Sequence, residues 1–194
     1  METIVMSVGG SLIVPDEIDT SFLTNLKNFI TDETANNRRF IIIAGGGRTA
    51  RNYQEVAQEV SELDNEDIDW LGIHATRLNG HLLRTVLKAV AHPTMLTNPD
   101  DIKEVPDTAK VVVASGYRPG ASTDLRDVQI ATLVGANKVV NLSNTDYVYT
   151  NNPKTNPEAE KITDITWTDF KKLIPEEWNP GLSSPFDPVA AREA

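Results

Sequence analysis

Two rhythms alternate along this chain. Short, apolar, largely β-branched runs occupy residues 3–8, 40–44, 110–114 and 138–142, and each reads as a buried strand. Between them apolar residues recur at helical spacing. Phe22, Leu23, Leu26, Phe29 and Ile30 predict a helix from a cap at Thr20 or Ser21 to about residue 34. Ala50, Tyr53, Val56, Ala57 and Val60 share one side of a helix over residues 49–63. A longer helix is predicted over residues 68–90, ended by Pro93, with a short strand at 94–96. Thr123 opens a helix to Val134, and Gly135 stands where a glycine stop is expected. Residues 144–157 read as a polar loop and 167–174 as a short helix. No repeat, low-complexity tract or interdomain linker interrupts the pattern. The alternation predicts an α/β fold with a mainly parallel sheet, covered on both faces, in a single domain over residues 1–194.

Glycine-rich turns follow three of the apolar runs: GGSL at 9–12, GGGRTAR at 45–51 and SGYRPGASTD at 115–124. Glycine lets the backbone approach a ligand closely, and successive free N–H groups form a pocket for anions. Open α/β sheets place their ligands at the C-terminal ends of their strands. Three such turns together suggest phosphate groups gripped from several sides. The formal charge of −10 argues against a nucleic-acid partner. A nucleotide stays compatible, because Arg48, Arg51, Arg77 and Arg118 lie near the turns or in the helix that follows. The absence of cysteine removes disulfide and thiol chemistry and fits a reducing, cytoplasmic setting. No apolar run approaches the ~20 residues of a membrane span, so no membrane partner is expected. The N-terminus carries Glu2, lacks a basic flank and meets Gly9-Gly10, so it reads as a strand rather than a signal peptide.

The order strand–GGS, strand–GGGRTAR, DWLG before a long helix, GYRPGASTD, SNTDYVYTNNPK and PGLSSPFDPVAA resembles the amino acid kinase superfamily. Within it the chain is similar to the uridylate (UMP) kinases of archaeal type, from Ile4 to the last residue. The resemblance implies a three-layer α/β/α sandwich, transfer of the γ-phosphoryl group of ATP to UMP with Mg²⁺, a place in pyrimidine nucleotide synthesis, and assembly as a homo-oligomer, commonly a hexamer. It also implies residue roles. Gly9, Gly10 and Ser11 match the ATP phosphate loop, and Gly45 and Gly46 the loop between donor and acceptor phosphates. Arg51 matches the basic residue that steadies phosphate there, and Asp187 an acid that organises the site; with Gly10 they form the implied catalytic set. Asp69 matches the acid that binds the UMP ribose. Tyr117, Arg118, Pro119, Gly120, Ala121, Ser122 and Thr123 match the segment that wraps uridine and its phosphate. Ser143, Asn144, Tyr149 and Asn152 match the loop that holds the ATP base and ribose. No metal-ligating residue is assigned.

The chain departs from the family pattern in three places. Ser7 replaces the lysine that most members carry two residues before the glycine pair, so Arg48, Arg51 or Arg118 must contribute the neutralising charge. Asn152 stands where aspartate is usual. The chain stops at Ala194, whereas the family continues with a strand, a helix and a last strand; the expectation is a sequence shortened at its C-terminus, which turns the strand at 110–114 or 138–142 into an edge. Two rival readings follow: a superfamily kinase acting on a carboxylate or carbamate, and a non-catalytic nucleotide-binding or molybdenum-storage relative. Local roles also compete with functional ones. One of Ser122, Thr123 and Asp124 is expected to cap the next helix. Trp70, Trp167 and Trp178 read as packing residues, and His74, His81 and His92 as structural or surface residues, since seven positions separate the first two.

Overall fold

The computed structural model describes residues 1–120, 122–153, 155–175 and 186–194. Its elements run β1 (Glu2–Val8), α1 (Gly10–Ile13), α2 (Thr20–Ala35), β2 (Arg38–Ala44), α3 (Gly47–Val60), α4 (Asn65–Val86), a 3-10 turn (Pro99–Glu104), β3 (Val111–Ala114), α5 (Thr123–Val134), β4 (Val139–Leu142), β5 (Val148–Tyr149), β6 (Lys161–Ile162), α6 (Trp167–Phe170) and α7 (Pro188–Glu193). Four strands form a parallel sheet in the order β3-β2-β1-β4, and β5 and β6 form a separate antiparallel pair. Strands β1 and β2 pair in register from Glu2–Arg38 to Val8–Ala44, so both end at one level.

Alternate side chains of these strands enter opposite cores. Met6, Val8, Phe40, Ile42 and Ala44 pack against Leu23, Leu26 and Ile30 of α2 and Leu83 of α4. Val5, Ile41 and Ile43 pack on the other face against Ile130 and Ala131 of α5 and Ile102 of the 3-10 turn. Both faces are therefore dry, which is why the strands read as continuous apolar runs. The result is the expected three-layer sandwich. A third cluster joins Leu125 and Val128 of α5 to Phe170, Ile174, Phe186, Ala190 and Ala191.

Several expected boundaries move. Helix α2 is capped by Asp19, whose carboxylate accepts from Phe22 N at 2.8 Å, and not by Thr20 or Ser21. Helix α4 starts at Asn65 under an Asp64 cap and stops at Val86. The segment expected as a strand at 94–96 makes only a single bridge to β3, at Leu96 with Ala114, and Ala91 before it makes another with Val111. Helix α6 covers only Trp167–Phe170. Helix α3 forms as Gly47–Val60 and not 49–63, and its apolar side is left open: Tyr53, Val56 and Val60 are 64%, 59% and 78% exposed, and no residue of α3 is buried. Gly135 does end α5 in the left-handed conformation, at φ +64°.

Asp19→Ala should destabilise the chain by about 1 kcal/mol, in the range of lost N-caps, while Thr20→Ala and Ser21→Ala should be near neutral. Urea unfolding of the three variants measures this; an equal loss at Thr20 would move the cap.

Candidate active site

The in-register ends of β1 and β2 send two glycine turns out side by side. Gly9 N–H donates to Leu142 O and Gly45 N–H to Val8 O, each at 2.9 Å, which ties the turns to the strand ends. The turns then touch backbone to backbone. A Cβ on Gly10 would lie 2.0 Å from Gly47 N, and one on Gly45 2.5 Å from Gly10 N. Gly47 sits at φ +62°, a left-handed conformation that glycine adopts freely. No side chain caps α3 at Gly46 and no acid stands in its first turn, so its N-terminal amides keep their positive character.

Helix α4 holds the second and third turns together. Asn79, 3% exposed, donates through Nδ2 to Gly45 O at 2.8 Å and Gly46 O at 3.0 Å. Thr76 Oγ1 donates to Ile73 O and accepts from Gly116 N at 2.8 Å. Arg77 donates to Gly116 O and Tyr117 O. Asp69 Oδ2, one turn and more upstream, accepts from Gly120 N at 2.7 Å. Asp69 thus meets the acceptor segment expected for it. Thr76 and Asn79 escaped the sequence reading; their only signal is a polar side chain at helical spacing among apolar neighbours.

Carboxylates line the floor on the α5 side. Ser7 is buried on the β1 face shared with Val5. Asp187 caps α7 by accepting from Ala190 N at 2.7 Å, and its own N–H donates to Asp124 Oδ2 at 2.9 Å. Burial pushes the Asp124 carboxyl up to about 6; the Asp187 charge adds to the shift and its backbone hydrogen bond opposes it. Asp127 is fully buried and neither carboxyl oxygen has a hydrogen-bond partner. Burial, then the charge of Asp124, holds its carboxyl well above the usual carboxylate range; the Ser7 hydroxyl lies near enough to oppose this without completing a hydrogen bond. Among the described residues no ion pair reaches these carboxylates.

The other expected site residues take these places. Ser11 lies in α1, and Ser122 caps α5 by accepting from Leu125 N at 3.2 Å, with Thr123 as the first helical residue. Arg118 and Pro119 precede Gly120, which adopts φ +79° in open space; Ala121 lies outside the described residues. Arg51 is exposed on α3, where its side chain makes no hydrogen bond or ion pair among the described residues. Ser143 follows β4 beside the first turn, where a Cβ on Gly9 would come 3.7 Å from its Cα. Asn144 is exposed in the loop after it, Tyr149 pairs with Lys161, and Asn152 O accepts from Thr155 and Asn156 amides in a tight turn. A cavity of about 680 Å³ beside β4 is walled by Val128, Val140, Val148, Trp167, Phe170 and Phe186; Ser143, Asn144, Tyr149 and Asn152 are not among its lining residues, and it is mostly apolar. Trp167 packs on Phe170 and Phe186, as expected, and Trp70 on His74 and Arg77; Trp178 and residues 180–185 of the last motif lie outside the described residues. Among the described residues no group of three His, Asp or Glu is spaced to hold a metal ion.

This arrangement defines a phosphate-handling α/β enzyme, and comparison with known proteins names the class. The chain belongs to the amino acid kinase family, which it matches over residues 2–194. It is 35% identical over 190 residues to the uridylate kinase of Pyrococcus abyssi, covering 97% of this chain and 83% of that protein. It is 34% identical over 193 residues to the uridylate kinase of Methanospirillum hungatei, covering 99% and 80%. The crystal structure of the uridylate kinase from Archaeoglobus fulgidus superimposes with a TM-score of 0.81 at 26% identity, covering all of this chain and 85% of that one.

Raised carboxyl groups make stability fall with pH. Between the ordinary carboxylate value and the folded value the native state binds more protons than the unfolded chain, so stability is full below about 3.9 and declines as pH rises through about 6 for Asp124. Asp127→Asn removes one such group. The variant should match the parent at pH 4 and exceed it at pH 7.5. Paired urea titrations at the two pH values measure this; a variant less stable at pH 7.5 would assign Asp127 an ionised structural role.

Proposed function

We propose that this chain is an ATP-dependent UMP kinase that forms UDP in pyrimidine nucleotide synthesis. The observation that carries the reading is the contact of Asp69 with Gly120, which brings the ribose-binding acid and the uridine-wrapping segment into one acceptor lobe beside the interlocked glycine turns. Phosphoryl transfer needs positioning and charge neutralisation more than covalent help. Glycine-turn amides and the N-terminus of α3 meet the phosphates without reorganising, because Asn79 and the Gly10–Gly47 contact already fix them. Gly9, Gly10, Ser11, Gly46, Ser143, Asn144, Tyr149 and Asn152 face the donor in this reading, and Gly45, Asp69 and residues 117–123 the acceptor. With Ser7 on β1, Arg51 supplies mobile positive charge from α3. Asp187 organises the floor through its hydrogen bond to Asp124.

Magnesium fits this donor set as an ion carried chiefly by nucleotide phosphates and water, as is usual for Mg²⁺. The buried Asp187 Oδ2, without a hydrogen-bond partner, is the carboxylate oxygen best suited to face it. When bound, the ion neutralises phosphate charge.

A site built to hydrogen-bond one group rejects analogues lacking it by up to ~10⁴-fold. Coupled assays across UMP, CMP, AMP, acetylglutamate and carbamate should give preferred turnover with UMP. Asp69→Asn should raise the KM for UMP and leave that for ATP nearly unchanged. Equal use of the three nucleotides, or an unmoved UMP KM in the variant, would sink the acceptor assignment.

We also propose a cytoplasmic homo-oligomer, a hexamer by family resemblance, with the exposed Tyr53, Val56 and Val60 stripe of α3 covered by another copy. Val56→Glu places a charge in that stripe and should lower the mass seen by light scattering while the fold survives. An unchanged mass would remove α3 from the interface.

A further inference from the structure

The least satisfied cation among the described residues lies outside every motif considered so far. Arg126, on the second turn of α5, is 4% exposed. Its Nη1 donates to Gln129 Oε1 at 2.6 Å, but Nε and Nη2 are buried without a partner. A guanidinium offers five donors and does not shed its charge easily, so unmade bonds here are costly. Asp127, next in the chain, cannot satisfy it. Successive helix positions point about 100° apart, and both Asp127 oxygens are themselves unpartnered.

Side chains of a helix lean toward its N-terminus. Arg126 accordingly reaches back to the acceptor segment, where its Cζ lies 5.4 Å from the Tyr117 ring centroid. Arg118 Cζ lies 5.7 Å from the same centroid. Two cations therefore share one ring. Burial, and then the charge of Arg118, holds the Arg126 guanidinium below its usual range, with Tyr117 and Glu193 opposing more weakly. This stacked pair stands at the N-terminal end of a helix of 12 residues. A compact, doubly charged anion with several acceptor oxygens relieves the repulsion and fills the unmade bonds at once.

We propose that Arg126 binds the phosphate of the acceptor nucleotide, together with Arg118 and the first turn of α5. The proposal rests on the acceptor reading above and adds a residue to it. Tyr117 is only half-buried, and a rotamer change of its ring toward the base exposes the guanidinium to the phosphate. Arg126 then restores to the acceptor lobe positive charge that Ser7 does not supply on β1.

Uridine is the control, because it keeps the base and ribose and lacks the phosphate. Calorimetric binding of UMP and of uridine, without ATP, is measured for the parent, Arg126→Met and Arg126→Lys. The parent should prefer UMP. Arg126→Met should weaken UMP by roughly 10–100-fold, the size of hydrogen bonds to a charged group, and leave uridine affinity unchanged. Arg126→Lys should recover part of the loss, and the UMP KM should rise more than kcat falls. A parent without preference for UMP over uridine overturns the acceptor reading, and this proposal with it. A parent that prefers UMP and an Arg126→Met that keeps the same ratio overturn the Arg126 assignment alone, whatever happens to melting temperature. If Arg126→Met fails to fold, an unchanged ratio in Arg126→Lys overturns it equally.

Discussion

The backbone contact between Gly10 and Gly47 is the constraint on which the rest of the site depends. Parallel pairing brings Val8 and Ala44 to the same level, so the chain leaves both strands at one edge. Only residues without side chains let the two turns then meet at 2.0–2.5 Å from an imagined Cβ. The contact brings the backbone amides of the two turns side by side. Helix α4 locks the turns from behind, through Asn79 on the second turn and Thr76 on the third. One helix thereby sets the distance between glycine turns that are far apart in sequence.

Charge is distributed unevenly around this frame. Beneath the sheet edge, Asp124, Asp127 and Asp187 crowd together with Ser7 as their β1 neighbour. Burial drives Asp124 and Asp127 toward their protonated forms, and Ser7 brings Asp127 no compensating charge. Beside Tyr117 the imbalance has the opposite sign, with Arg118 and Arg126 on one ring. The site is thus polarised before any ligand arrives. Cations gather beside Tyr117, and carboxyl groups that burial makes harder to ionise gather beside Ser7.

Much of this was legible in the sequence. Continuous β-branched runs announced strands buried on both faces, because an interior parallel strand has no polar side. Glycine clusters announced the turns, because close backbone approach leaves few alternatives. Gly135 and Ser122 took their expected capping roles, since caps are decided within a few residues. The contact of Asp69 with Gly120 joins a helix start and a glycine turn that were both readable.

Other features were decided only by the tertiary structure. The α3 stripe has the periodicity of a core face, yet α3 packs on α4 and α1 beside the sheet edge and leaves Tyr53, Val56 and Val60 outside. Periodicity reports a face, not what covers it. Asp19 outcompeted two equally good capping residues by its position relative to the first free amide. Asn79, Thr76 and Arg126 look ordinary in a helical pattern; their roles come from which loops are folded against them. Asp187 meets Asp124 across 63 positions of chain, a proximity no local rule contains. The sequence determined its elements and turns, because those follow from neighbours within a few residues. Partnership, burial and the protonation of buried groups depended on long-range packing, and only the folded chain decided them.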